Sequence, residues 1–223
     1  MESFIFNNVS SDDLGLIIKE MPAIVRPAKD IESIKINGRN GNLHIDNGTY
    51  DSYNITIKCI INDLTKLDQC KSVLQGTGEL EISTVPNRTF KATIKNQLDF
   101  SKYLMVLREF PLQLEMEPFS YGETHEPIFV NDRDFEIDGN IETYPQIFIY
   151  QAGIITINNI QIQTLENRIK IDCELMECVK IDGNIDANSS VILTEFPKLT
   201  PGTNHISVPA GTVVEIVYKD RWL

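Results

Sequence analysis

The chain has 223 residues, 42% of them hydrophobic and 23% charged, and its 32 acidic side chains against 20 basic ones leave a formal charge of −12. That is the composition of a globular protein of one large or two small domains. It argues against nucleic-acid recognition, which needs clustered cations that no run of Lys or Arg supplies here.

No stretch approaches the roughly 18 to 20 apolar residues of a membrane span, and the start, MESFIFNNVSSDD, has neither a basic region nor a long apolar one. A protein made and kept inside the cell, at least at first, is expected. Period-two alternation then dominates. In TYDSYNITIKCIIND, Tyr53, Ile55, Ile57, Cys59 and Ile61 fall on one face, while Asn54, Thr56 and Lys58 fall on the other. This is the pattern of a strand buried on one side. One helix interrupts the strands near 63–75: Leu64, Leu67, Val73 and Leu74 lie near one stripe, Asn62 or Asp63 can cap the first turn, and Gly76 can end the last. ELEIS and TFKATIK resume the alternation, and a short helical turn is possible at Gln97 to Phe100. EPFSYGETHEPIF, with two prolines and a glycine, suits a boundary between domains spanning 1–125 and 126–223. Beyond it YPQIFIY, RIKIDCEL and VVEIVY alternate between frequent turn signals, the spacing of an antiparallel β-sandwich. The fold class is therefore mainly β with one helix in the first domain.

Two late features have a structural reading. In Pro201-Gly202-Thr203-Asn204, proline presets φ and glycine takes the positive φ of a type II turn, redirecting the chain into a strand near His205. The chain stops on VEIVYKDRWL, whose single tryptophan is one residue from the end. Trp222 and Leu223 read as anchors of a closing strand, and Asp220 on its apolar face implies a bend or bulge near 219–221.

Catalytic signals are sparse. His44, His125 and His205 fall in segments read as loops, without a second donor at metal-ligand spacing, so neither metal nor cofactor is expected. Asp132, Asp134, Glu136 and Asp138 alternate onto one face. Carboxylates so placed could serve a glycosidase through Asp134 and Glu136 or hold calcium, but such a row more often marks a solvated face. Cys173 and Cys178, five apart in an alternating segment, are expected on opposite faces, and all four cysteines as buried free thiols. Tyr144 and Tyr150 are candidates for stacking on a sugar in a carbohydrate-binding sandwich module, the alternative non-catalytic function.

Three stretches together carry a resemblance: FIFNNVSSDDLGLII, INGRNGNL, and FPKLTPGTNHISV with EIVYKDRWL. DGNIETYPQIFIY and IKIDCE fall between them in matching order. The chain resembles the distal tail proteins of long-tailed bacteriophages and related tail-like particles. The resemblance implies a non-enzymatic virion protein at the tail tip. Its amino-terminal β domain would form a homohexameric ring and be followed by a galectin-like β-sandwich. The expected partners are further copies of the chain, the tail tube protein and the tail-tip hub. DNA would pass through the ring without specific binding, and no membrane would be involved. Gly38, Arg39, Asn40 and Gly41 are the subunit-interface candidates, because a glycine-rich loop can approach a neighbour closely. Pro201, Gly202, Trp222 and Leu223 are the structural anchors.

Overall fold

The computed structural model describes residues 2–95 and 109–223. The possible helical turn at Gln97 to Phe100 lies outside the described residues. The chain divides into two compact units, residues 1–120 with Leu223, and residues 121–222.

The first unit contains β1 (Phe4–Phe6), β2 (Val9–Ser10), β3 (Leu16–Glu20), β4 (Lys29–Lys35), β5 (Asn42–Tyr50), β6 (Tyr53–Ile61), α1 (Leu67–Val73), β7 (Thr77–Ile82), β8 (Val85–Ile94) and the start of β9 (Glu109–His125). Its main sheet runs β2-β1-β7-β8-β9-β6-β3. β6 pairs antiparallel with β9 from Tyr53↔Met116 to Ile60↔Glu109. The alternation read from the sequence is the burial pattern observed: Ile55, Ile57, Cys59 and Ile61 are buried, with Leu112, Leu114 and Met116 in the same core.

The helix begins as a single 3-10 turn, Leu64–Lys66, whose Asp63 cap accepts a hydrogen bond from the Thr65 amide at 2.9 Å. The buried residue within α1 is Cys70, which lies within the leucine and valine stripe, three residues after Leu67 and three before Val73; Leu74 is buried just beyond it. The Cys70 thiol donates to the Leu14 carbonyl at 3.4 Å, fastening the helix to the loop before β3. Leu64, Leu67 and Val73 pack partly buried against that core.

The second unit contains β10 (Ile128–Phe129), β11 (Arg133–Ile137), β12 (Gln146–Ile149), β13 (Gly153–Ile157), β14 (Ile160–Thr164), β15 (Ile169–Asp172), β16 (Glu177–Lys180), β17 (Val191–Leu193), β18 (Gly202–Ser207) and β19 (Val214–Trp222). One sheet has the order β16-β15-β12-β19, with β10 also on β19; the other has the order β11-β18-β13-β14-β17. Inward residues of both sheets make one core: Ile147, Ile149, Ile171, Val214 and Ile216 from the first, Ile137, Ile155, Ile157, Ile162 and Ile206 from the second. Two sheets sharing their inward faces are a β-sandwich. The described residues are thus almost entirely β, with one α-helix among them, in the first unit.

Several sequence expectations need correction. β19 extends to Trp222, and its alternating burial ends with Asp220 and Arg221 both buried. That carboxylate is satisfied in place: Oδ1 accepts from the Asp138 amide and Oδ2 pairs with His125 Nε2, each at 3.0 Å. Those partners offset the cost of turning the charge inward. Cys173 and Cys178 are both buried in the same core, because the chain reverses between β15 and β16 and sets Cys178 opposite Ile171. A turn between two residues cancels the parity argument for an unbroken strand. The histidines lie in strands: His44 in β5, His125 ending β9 and His205 in β18.

Candidate assembly surface

β4 and β5 form a two-stranded sheet of their own. They pair Glu32↔Ile45, Ser33↔His44, Ile34↔Leu43 and Lys35↔Asn42. Directly opposed residues share a face, so Ile34, Leu43 and Ile45 lie together, and Ile36 continues the alternation of Ile34. Ile34 is 36% exposed and Ile36 and Ile45 are each 39% exposed. The other face carries Ser33, Lys35, Asn42 and His44, with Asn42 Nδ2 donating to Ser33 Oγ at 2.9 Å, and has exposed Ile31 near its base.

The base of the hairpin is built by short side chains. The pairing shifts between Lys29↔Tyr50 and Ile31↔Asp46, where β5 carries extra residues. Asp30 Oδ2 accepts from Asn47 Nδ2 and Thr49 Oγ1, and Asp46 Oδ1 accepts from the Gly48 amide. Such a bulge bends and twists a ribbon. Lys29 Nζ meets Asp46 at 2.7 Å, which holds the Asp46 carboxyl below and the Lys29 amine above their ordinary ranges through that hydrogen bond.

Gly38, Arg39, Asn40 and Gly41 make the exposed tip of this hairpin. Gly38 and Gly41 have φ of +86° and +80°, the region that favours glycine. A Cβ at either would meet nothing within 4 Å, so the turn, not close packing within the chain, accounts for them.

The other marked residues lie apart from this tip. Gly202 has φ +87°, as the Pro201-Gly202 turn requires, and β18 starts there, three residues before His205. Buried Asn204 braces the turn by accepting from the Thr200 amide and donating to the Thr200 and Gly202 carbonyls. Trp222 is half-buried over Gly122, and Leu223 groups with the first unit. Tyr144 lies with the Arg221 guanidinium 5.4 Å from its ring centre.

The acidic row is exposed and engaged one residue at a time. Asp134 binds His205 Nδ1, Glu136 accepts from Thr203 Oγ1, and Asp132 accepts from Ser207 Oγ and the Val208 amide. The Val208 amide, then Ser207, holds the Asp132 carboxyl below its usual range. Among the described residues no group of three or more His, Cys, Asp or Glu side chains could hold a metal ion.

A mainly β chain with one α-helix among its described residues, built as two consecutive units, is the class that these features define. No protein-family model and no curated protein matches the sequence. Among solved structures the fold is similar to the crystal structure of SPP1 Dit (gp 19.1), described as a paradigm of the hub adsorption apparatus in phages infecting Gram-positive bacteria. The likeness covers 100% of both chains with a TM-score of 0.72, at 12% sequence identity.

Proposed function

We propose that this protein is a structural component of a phage-type tail tip, a distal tail protein that assembles into a hexameric ring between the tail tube and the tail-tip hub. The reading rests above all on the end-to-end likeness to a phage hub protein, which includes both units in order. Residues 1–125 would form the ring and 126–223 a galectin-like sandwich, placing the protein in the virion as a non-enzymatic part. A net charge of −12 suits an opening through which DNA slides without counterion-release binding.

The β4–β5 hairpin supports the self-assembly half of the reading. An isolated two-stranded hairpin is marginal in water, yet this one exposes Ile34, Ile36 and Ile45 on one side. A second copy of the chain would cover that face, with Gly38, Arg39, Asn40 and Gly41 at the leading edge of the contact. The test is mass in solution and negative-stain imaging, alone and with the hub partner. Six 25.3 kDa chains make a particle of roughly 150 kDa, within the range of symmetric homo-oligomers. Ile34→Ser with Ile45→Ser is expected to leave folded monomers, and Arg39→Ala to loosen the ring. Annular particles unaffected by either variant would remove the hairpin from the interface. Absence of rings from the parent with its hub partner would overturn the ring itself.

A further inference from the structure

A shallow, open cavity of about 530 Å³, a surface depression, lies on the second unit, lined by Ile128, Tyr150, Gln151, Asn167, Arg168 and Val213. Its polar groups are held in one sense. Gln151 Oε1 accepts from the Val213 amide and Asn167 Oδ1 from the Ala152 amide, both at 2.7 Å. Each bond uses the oxygen of its side-chain amide and leaves the NH2 as the group still to be satisfied. Arg168 is locked to Asp182, with Nε donating to Oδ2 at 2.6 Å and Nη2 to Oδ1 at 2.9 Å, so Nη1 keeps its donors. Tyr150 spends its hydroxyl on Glu215 Oε2 at 2.6 Å, and that bond keeps its proton on above the usual tyrosine range. What remains is a set of N–H donors beside an aromatic ring and two aliphatic side chains, one of them Ile128 at 60% exposure.

The ligand for such a wall is an acceptor with apolar parts. An anion is disfavoured, because Asp182 pairs with Arg168, the one cation among the described lining residues, and Glu215 stands beside Tyr150. An extended peptide brings an N–H for every C=O along its length, and the side chains lining the cavity offer that repeated set no acceptors, whereas the single N–H of one acetamido group can point to solvent. A sugar hydroxyl can turn to accept, and an acetamido group adds a carbonyl for the amide donors and a methyl for Ile128 and Val213. We infer that this cavity binds an N-acetylhexosamine, with the acetamido carbonyl on Gln151, Asn167 and Arg168 and its apolar parts on Tyr150, Ile128 and Val213.

The test uses the full chain in whatever assembly it adopts, with N-acetylglucosamine and N-acetylgalactosamine as probes and glucose and galactose as controls. Saturation-transfer difference NMR is expected to mark the acetyl methyl most strongly for at least one probe. Titration is expected to give a dissociation constant on the order of 1 mM, with the parent hexose about tenfold weaker. Asn167→Asp and Gln151→Glu keep the oxygen that the backbone amide needs and delete the NH2. Each is expected to weaken binding about tenfold while leaving the melting curve in place. No saturation of either acetylated probe, equal binding of the parent hexoses, or unweakened binding by both variants would overturn the assignment. Ring formation is scored separately by mass, so failure of one reading leaves the other standing.

Discussion

At the scale of single residues, the buried thiols give the clearest chemistry. Burial pushes the Cys59 and Cys173 thiols up to about 12 and Cys178 to about 11. Their proximity to Cys70 in the first case, to Asp172 and Cys178 in the second, and to Asp186 and Glu177 in the third adds to the shift. The sign follows from linkage. Unfolded thiols lose their protons near 9, whereas the folded ones retain them, so between these values the native state binds more protons and stability falls as pH rises. The contribution is complete below pH 9 and is lost on the way to 12. Urea midpoints should therefore drop between pH 8 and pH 10.5, and Cys173→Ala should flatten that drop. A thiol reagent at pH 8 should label the native protein slowly and the unfolded protein at once, since the thiolate is the reactive form. Rapid native labelling would mean that the cores open readily.

At the scale of elements, the strands were legible because alternation is local. The face read for β6 is buried at Ile55, Ile57, Cys59 and Ile61, and the cap at Asp63 could be named from its position before the helix. What escaped was whatever a neighbouring strand supplies. Asp220 looked misplaced because His125 and Asp138, its partners, are 95 and 82 residues away. Cys173 and Cys178 looked divergent because no periodicity announces the turn between β15 and β16. The donor set of the cavity likewise depends on Gln151 meeting Val213 across 62 residues. Gly139 is another such case: in the sequence it ends an acidic row, yet in the fold its missing Cβ lets the backbone of Arg221 approach. A Cβ there would overlap the Arg221 carbonyl and lie 2.8 Å from its amide nitrogen. The Asn140 amide donates to that same carbonyl at 2.9 Å, so the strand cannot retreat without losing a bond. Gly139→Ala should destabilise the second unit by about 1–3 kcal/mol, the usual cost of overpacking. The fluorescence of Trp222, the only tryptophan, reads this unit's unfolding directly. A midpoint equal to the parent's would show that β19 can shift freely at Arg221.

At the scale of the whole molecule, charge and the exposed hairpin would act in opposite directions on the proposed assembly. Every chain brings a net −12 to an oligomer, and like net charges resist being gathered into one particle. The Ile34, Ile36 and Ile45 face favours association through apolar burial, which depends far less on ionic strength than the repulsion does. The screening length falls from about 30 Å at 0.01 M to about 8 Å at 0.15 M salt, so added salt weakens the opposing term and spares the favourable one. The oligomeric fraction of the purified protein should therefore rise between these salt concentrations, measured by sedimentation velocity at fixed protein concentration. Ile34→Ser with Ile45→Ser should abolish the rise, because screening alone supplies no attraction. An interface built chiefly on ion pairs, with Arg39 meeting a carboxylate of the next copy, would show the reverse trend and dissociate as salt is added. The direction of the salt response thus decides whether the apolar face of the hairpin or its charged tip would hold neighbouring copies together in the proposed ring.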